Sequence, residues 1–501
     1  MKADVAIIGA GFAGLGLAIR LARRGFSDFV VLERADDVGG TWRDNRYPGV
    51  SCDVPSHLYS YSFRPAPDWS RVFAPGEEIQ DYLRRAAVEE GVAPHVRYGA
   101  EMWRARWSAP EGRWEVSTAA GTWWVRVLVL AAGRLTEPRV PDVEGLAGFP
   151  GPVMHTSRWD DDVALDGARV GIVGTGASAA QVIPRLAERA SELVVFQRTP
   201  TWVVPRGDRP YSPGERRRLA EHPEDARALR EEIFDDAERA VDARHLVRPA
   251  IDELRARARR HLHDQVDDPA LRARLAPGYE IGCKRIVLSD ELYPALSRDD
   301  VVLEDSALAR VDGRTAVAAS GARYRLDALV LATGFHAARQ PYAPRVHGRR
   351  GTLAEHWAGG MTAYASTSVH GFPNMFVLDG PNASLGHNSA IYMIETQIDY
   401  VLGALDHLAR AGEPLEVSAA AERAYVRDVD AAARDTVWLA GGCRSWYLDE
   451  ASGRLTLLWP GSARSFRERN ARFDPAPYVR SAPESTNGGD SRTACSRAGG
   501  T

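Results

Sequence analysis

The 501-residue chain predicts an α/β fold built on two Rossmann-like dinucleotide-binding units, and three observations carry that prediction. A buried strand, a glycine-rich turn and a helix follow one another near the N-terminus, and the same series recurs at 169–198. Each glycine turn has the spacing that lets backbone approach a pyrophosphate. A later stretch, 323–334 (RYRLDALVLATG), reads as a strand returning to the first unit, so that the first domain is split by insertion of the second.

In the first unit, residues 4–9 (DVAIIG) are apolar on both faces, as a buried parallel strand requires. Residues 13–24 have helical periodicity and stop at Arg23-Arg24-Gly25, and 29–33 (FVVLE) read as the next strand. Gly9, Gly11 and Gly14 form G-x-G-x-x-G between strand and helix. Such glycines admit a pyrophosphate, and the helix N-terminus attracts its charge. Glu33 closes the second strand, where a carboxylate can accept hydrogen bonds from a ribose diol. We assign this site to FAD.

In the second unit the motif is Gly174-Thr175-Gly176-Ala177-Ser178-Ala179, again between strand and helix. The following strand ends in Gln197-Arg198-Thr199 instead of an acid. An acid there would repel a ribose 2′-phosphate, whereas Arg198, with Thr199, attracts it, so the pattern points to NADPH over NADH. Two such sites in one chain suggest a relay in which NADPH reduces a flavin, which passes electrons on.

Between and beyond the two motifs the organisation is coarser. Residues 101–130 hold short Trp-rich strands, expected to form a small antiparallel sheet, and the Pro/Gly-rich 138–152 reads as a connector. A charged stretch at about 212–276 predicts a helical insertion, and 389–411 a helix after a Gly/Asn-rich turn. The expected division is 1–140 for the first part of the FAD domain, 150–325 for the NADPH domain and 326–480 for the second FAD part. From Ser481 onward, too little apolar surface remains to offset ordering, and 481–501 is expected to be a disordered tail.

Composition narrows the partners. A net charge of −4 argues against nucleic acid and anionic membranes. No stretch reaches the roughly 20 apolar residues of a membrane helix. The apolar N-terminus lacks a basic lead and is broken by glycines, so it reads as strand, turn and helix, not as a signal peptide. Cys52, Cys283, Cys443 and Cys495 form no C-x-x-C pair, which argues against a zinc site or a dithiol centre. Reduced thiols in a cytoplasmic protein are the simple expectation.

At this point the residues resemble a known family, the class B flavoprotein monooxygenases and, within them, the type I Baeyer–Villiger monooxygenases. The signature F-x-G-x-x-x-H-x-x-x-W reads Phe149, Gly151, His155 and Trp159, followed by Asp160. A second reads Gly39-Gly40-Thr41-Trp42, Tyr47-Pro48-Gly49 and Asp53, and a third runs from Asp327 to Phe335. Their order matches to about residue 478. Ala131-Ala132-Gly133 departs from the usual A-T-G. Gly380-Pro381-Asn382 and Gly386-His387-Asn388-Ser389, in the active-site region, resemble a branch other than the best-known cyclic-ketone members.

The resemblance implies a ketone oxidised by O2 to an ester or lactone through a C4a-peroxyflavin. Its central residue matches Arg285 in the pair Lys284-Arg285, with Asp53 as the partner that holds the guanidinium. A permanent positive charge there stabilises negative charge developing in the reaction. Only Lys2 and Lys284 are lysines in this chain, so a lysine at 284 suggests a need for a compact ammonium, which the resemblance puts at the 2′-phosphate. It also implies a nicotinamide contact for Trp446 and flavin contacts for Thr41, Trp42, Tyr59 and Met102, although Trp42, Tyr59, Met102 and Trp446 would serve equally as packing residues. His155 is assigned to domain coupling. Three rivals stand beside this reading: an S- or N-oxygenating monooxygenase, a non-oxygenating NADPH–flavin oxidoreductase, and a silent nucleotide-binding protein.

Overall fold

A computed structural model describes residues 1–480; the tail expected from Ser481 lies outside the described residues. Two sheets carry the molecule. The first has eight strands, and at its centre Lys2–Ile8 pairs in parallel with Phe29–Leu32 and with Gly121–Leu130. Side-chain alternation sorts these central strands onto two faces. Val5, Ile7, Val31, Val127 and Val129 pack on one side with the helices Phe12–Arg23 and Ala390–Ala411. Ala6, Ile8, Val30, Leu128 and Leu130 pack on the other with Trp107, Trp114 and Trp123. The Trp-rich strands Met102–Ser108 and Arg113–Thr118 are antiparallel as expected, but they are no separate sheet. Gly121–Leu130 is long enough to pair with both Arg113–Thr118 and Lys2–Ile8, which joins the meander to the parallel strands.

The second sheet is all parallel, in the order Val301–Glu304, Glu192–Phe196, Arg169–Val173, Ala328–Leu331, Val153–His155. This corrects the expectation for 323–334. Ala328–Leu331 is a wholly buried strand of the second sheet, and Arg323–Arg325 belongs to a three-stranded antiparallel sheet. An apolar run of four suits either sheet; the Asp327 carboxylate decides, accepting from Arg169 N at 3.1 Å and from its Nε and Nη2 at 3.0 Å each. The chain returns to the first sheet only afterwards, where Val346–His347 pairs with Met102–Ser108 and Met375–Val377 with Gly121–Leu130. The first domain is thus split by the second.

The two crossings run side by side. Arg139 N donates to Gly334 O at 2.8 Å and His336 N to Glu137 O at 3.0 Å. His155 lies here, at the end of Val153–His155, its ring edge-on to Phe335 at 5.5 Å. The charged stretch forms Pro213–Glu221, Pro223–Arg239, Val241–Arg244, Ala250–Gln265 and Pro269–Leu275, inserted between the paired strands Val203–Val204 and Val287–Leu288.

Candidate active site

The two glycine motifs occupy matching places. Gly9 (φ +103°) and Gly174 (φ +113°) each press against the end of a crossing strand: a Cβ would come within 2.6 Å of Ala131 O and 2.5 Å of Ala332 O. The departure at Ala131-Ala132-Gly133 therefore lies against the first glycine turn. A Cβ on Gly14 would sit 1.9 Å from Gly9 O, so only glycine closes that turn. Gly11 and Gly176 begin their helices with no side-chain cap and no acid in the first turn. Helices begun by Ser212, Asp268, Thr352, Ser389, Ser418 and Ser462 are capped by their own side chains. Uncapped, acid-free N-termini leave N–H groups and helix dipole for an anion, so both sites fit a pyrophosphate.

Glu33, 4% exposed, does more than end a strand. Its Oε2 accepts from Ala10 N at 2.8 Å, inside the glycine turn, and its Oε1 from Ala35 N at 3.0 Å and Arg43 Nη1 at 2.9 Å. Thr41 is exposed at the start of a helical turn facing the same end. Trp42 donates Nε1 to Tyr59 Oη at 3.3 Å, and Tyr59 packs edge-on to Phe12, the first residue of the glycine helix, at 5.2 Å. Met102 is buried in the core on the sheet face that also carries Trp107, Trp114 and Trp123.

At the second motif, Thr175 Oγ1 donates to Thr199 O at 3.3 Å, and Ser178 and Gln181 meet Tyr47 from the first domain. Arg198 is exposed and Lys284 half-buried, its ammonium 5.0 Å above the Tyr279 ring. Burial lowers the Lys284 pKa, and the Arg198 charge lowers it further. Two cations close enough to repel, with no acid among the described residues in an ion pair with Lys284, suit a phosphate.

Between the domains Arg285 grips Asp53. Its Nε donates to Asp53 Oδ2 at 2.8 Å, and its Nη2 donates to the same oxygen. The fork therefore closes on one carboxylate oxygen. The Asp53 charge raises the Arg285 pKa far above its ordinary value, against burial, so the guanidinium is positive at any working pH. The Asp53 loop is held by the second domain: Arg206 Nη2 donates to Ser51 Oγ at 2.9 Å and Cys52 O at 2.8 Å, and Gln181 Nε2 to Ser51 O at 2.9 Å.

Three residues here escaped sequence reading. Tyr447, 2% exposed, hydrogen-bonds Arg285 through its phenol, and burial raises the phenol pKa while Arg285 opposes that shift. Its signal was available, since a buried tyrosine needs a polar partner. Arg134 pairs with Asp379 and directly follows the altered A-A-G. Arg244 ends the short helix Val241–Arg244 and lies within electrostatic reach of Arg285 and Tyr447. Trp446 is 40% exposed, tilted against Tyr447 at 4.3 Å.

One expectation is overturned. Cys283 and Cys443 form a disulfide with Cα atoms 6.2 Å apart; Cys52 is a buried free thiol. The pair is separated by 160 residues, so only tertiary structure brings it together. It joins the residue before Lys284-Arg285 to the loop carrying Trp446 and Tyr447.

The chain matches the model of the NAD(P)-binding Rossmann-like domain over residues 7–75 and that of L-lysine 6-monooxygenase/L-ornithine 5-monooxygenase over 57–337. It is 47% identical to a Baeyer–Villiger monooxygenase of Streptomyces coelicolor, over 96% of this chain and 93% of that protein. The chain belongs to the Baeyer–Villiger monooxygenase family. Solved structures agree with this. OTEMO in complex with FAD and NADP superposes with TM-score 0.84 at 29% identity, covering 96% of this chain and 99% of that one. Cyclohexanone monooxygenase from Rhodococcus sp. Phi1 bound to NADP+ gives 0.83 at 27%, covering 93% and 96%. In this Baeyer–Villiger monooxygenase the expected Arg285–Asp53 pair forms between the domains, and the fingerprint His155 stands at the crossings.

Proposed function

We propose that this enzyme binds FAD and NADPH and converts a ketone to an ester or lactone: ketone, O2, NADPH and a proton give ester, NADP+ and water. FAD would lie on Gly9, Gly11, Gly14, Glu33, Thr41, Trp42, Asp53, Tyr59 and Met102. NADPH would lie on Gly174, Thr175, Gly176, Ala177, Ser178, Arg198, Thr199, Lys284, Arg285 and Trp446. When bound and reduced, the flavin supplies activated oxygen from O2. The protein's own part is electrostatic. Arg285 carries a fixed positive charge toward the oxygen on which negative charge develops as the ketone is attacked. Asp53 and Tyr447 hold the guanidinium in place, so that little reorganisation is needed during the reaction. Lys284 and Arg198 hold the 2′-phosphate, and Trp446 covers the nicotinamide end. A reaction fed by NADPH belongs with the cytoplasmic pool of reduced nicotinamide, and we place the enzyme there.

The observation that carries this reading is the Arg285 fork on Asp53, two donors on one oxygen between the two nucleotide sites. Its test is Arg285→Ala. Ketone oxygenation should fall by about 10²–10³, the loss typical of one oxyanion donor, while NADPH oxidation continues with release of hydrogen peroxide. If ketone oxygenation and sulfoxidation fall together and only slightly, the electrostatic role of Arg285 is wrong. The rival reading, oxygenation of an amine nitrogen, draws no support from the relatives, which are named Baeyer–Villiger monooxygenases. Product mass from paired ketone and amine assays separates the two.

A further inference from the structure

Arg244 is 6% exposed, yet no acid among the described residues pairs with it. Its Nη2 donates to Gly386 O at 3.1 Å, and its buried Nη1 meets no acceptor among the described residues. The titratable groups that act on it are the Tyr447 phenol and the Arg285 guanidinium. Glu238, which like Arg244 acts on His387, is engaged elsewhere, accepting from Asn388 Nδ2 at 2.8 Å, Ala463 N at 3.0 Å and Arg464 N at 3.1 Å. Burial lowers the Arg244 pKa to about 10, which still leaves it cationic at neutral pH.

Such a charge is costly unless something pairs with it. The surroundings make room for it nonetheless. A Cβ on Gly282 would stand 2.7 Å from Nη1, and one on Gly386 3.6 Å from Nε. Gly282 lies three residues before Arg285, so the guanidinium borders the catalytic segment. Trp438, whose ring lies 3.1 Å from a Cβ on Gly386, has a buried Nε1 with no acceptor among the described residues. Unused donors thus cluster around one turn, and donors without acceptors describe a site for an anion. Both pyrophosphates have uncapped helix N-termini of their own, and the 2′-phosphate has Arg198 and Lys284. That leaves the substrate.

We propose that Arg244 is a specificity residue that selects ketones bearing a carboxylate, the planar guanidinium receiving the carboxylate beside the reacting carbonyl. This rests on the ketone-oxygenating reading above and names its substrate class.

The test uses the FAD-loaded enzyme with a ladder of straight-chain methyl ketones that end in a carboxylate, each compared with its methyl ester. The native enzyme should favour the acid at one chain length. In Arg244→Met the ratio of kcat/KM for acid over ester should fall about 100-fold, as for truncating one partner of a buried charge pair. Arg244→Lys should lie between, keeping charge without the fork. Direct titration of the oxo acid into oxidised holoenzyme gives the same comparison without turnover. Equal handling of acid and ester by the native enzyme overturns the proposal, as does a preference that survives in Arg244→Met. A variant that loses NADP+ affinity while keeping the acid-to-ester ratio assigns Arg244 to the cofactor instead. If neither acid nor ester is oxygenated, the ketone reading fails, and the titration alone decides whether Arg244 holds carboxylates.

Discussion

At the scale of single residues, charge is the organising quantity. Three guanidiniums, at 134, 244 and 285, lie within electrostatic reach of a common centre, and their partners differ. Arg134 has Asp379, Arg285 has Asp53 and Tyr447, and Arg244 has a carbonyl. Tyr447 acts as a positioning residue, because its phenol touches Arg285 and no reacting atom is required of it. Tyr447→Phe removes a hydrogen bond to a charged group, worth about 1.5–3 kcal/mol. We expect kcat for ketone oxygenation to fall about 10-fold or more while KM for NADPH holds. Peroxide released per NADPH should rise, and a drop in NADPH affinity alone would contradict this role. Gly14→Ala tests the glycine turn. A methyl group 1.9 Å from Gly9 O forces the turn open, so the purified variant should lose flavin absorbance, with FAD affinity reduced at least about 10-fold.

At the scale of elements, the Cys283–Cys443 bond joins two loops that each place a site residue, Arg285 on one side and Tyr447 on the other. In a reducing compartment it exists as two thiols whenever reduction outruns closure. Thiol titration of the denatured, unreduced protein should therefore show two thiols fewer than after reduction. Replacing both cysteines by serine should lower unfolding stability by about 2–4 kcal/mol, the usual worth of such a link. If the thiol count is the same before and after reduction, the bond is absent. The two glycine helices belong to the same scale: six other helices are capped by Ser, Thr or Asp and the long uncapped ones Gly76–Glu89, Pro223–Arg239 and Ala250–Gln265 carry acids in the first turn, whereas Gly11 and Gly176 leave the first turn open and acid-free.

At the scale of the whole molecule, the two domains meet through paired crossings and through the loop 47–53 seated on the helix Ala177–Ala187. His155 sits at the crossings, buried, with its pKa held down to about 4 by burial. The folded pKa lies below the ordinary 6.5, so between about pH 6.5 and 4 the unfolded chain binds more protons. The stability this residue contributes is complete above that window and is lost as pH falls through it. The loss is on the order of 3 kcal/mol for one such histidine. His57, also held near 4 by burial, acts with the same sign. Urea unfolding of His155→Gln should show a shallower loss between pH 7 and 4.5 than the native protein. An unchanged pH slope would mean that His155 titrates freely in the fold.

Much of this molecule is written locally. The strands and helices around both glycine motifs follow from runs of apolar residues, from periodicity and from a few glycines whose backbone no other residue can adopt. Residue type likewise points to Arg198 at a strand end and to Glu33 in place of a cation. Tertiary structure decided what depends on partners distant in the chain. Ala328–Leu331 suits either sheet until Asp327 meets Arg169. Gly121–Leu130 merges two expected sheets because it is long enough to pair with both. Cys283 finds Cys443 across 160 residues, and the cations at 134 and 244 gain meaning only from what surrounds them. Local sequence sets backbone preference and hydrophobic pattern over a few residues. Pairing, burial and the field at a charge are sums over neighbours that only the folded chain assembles.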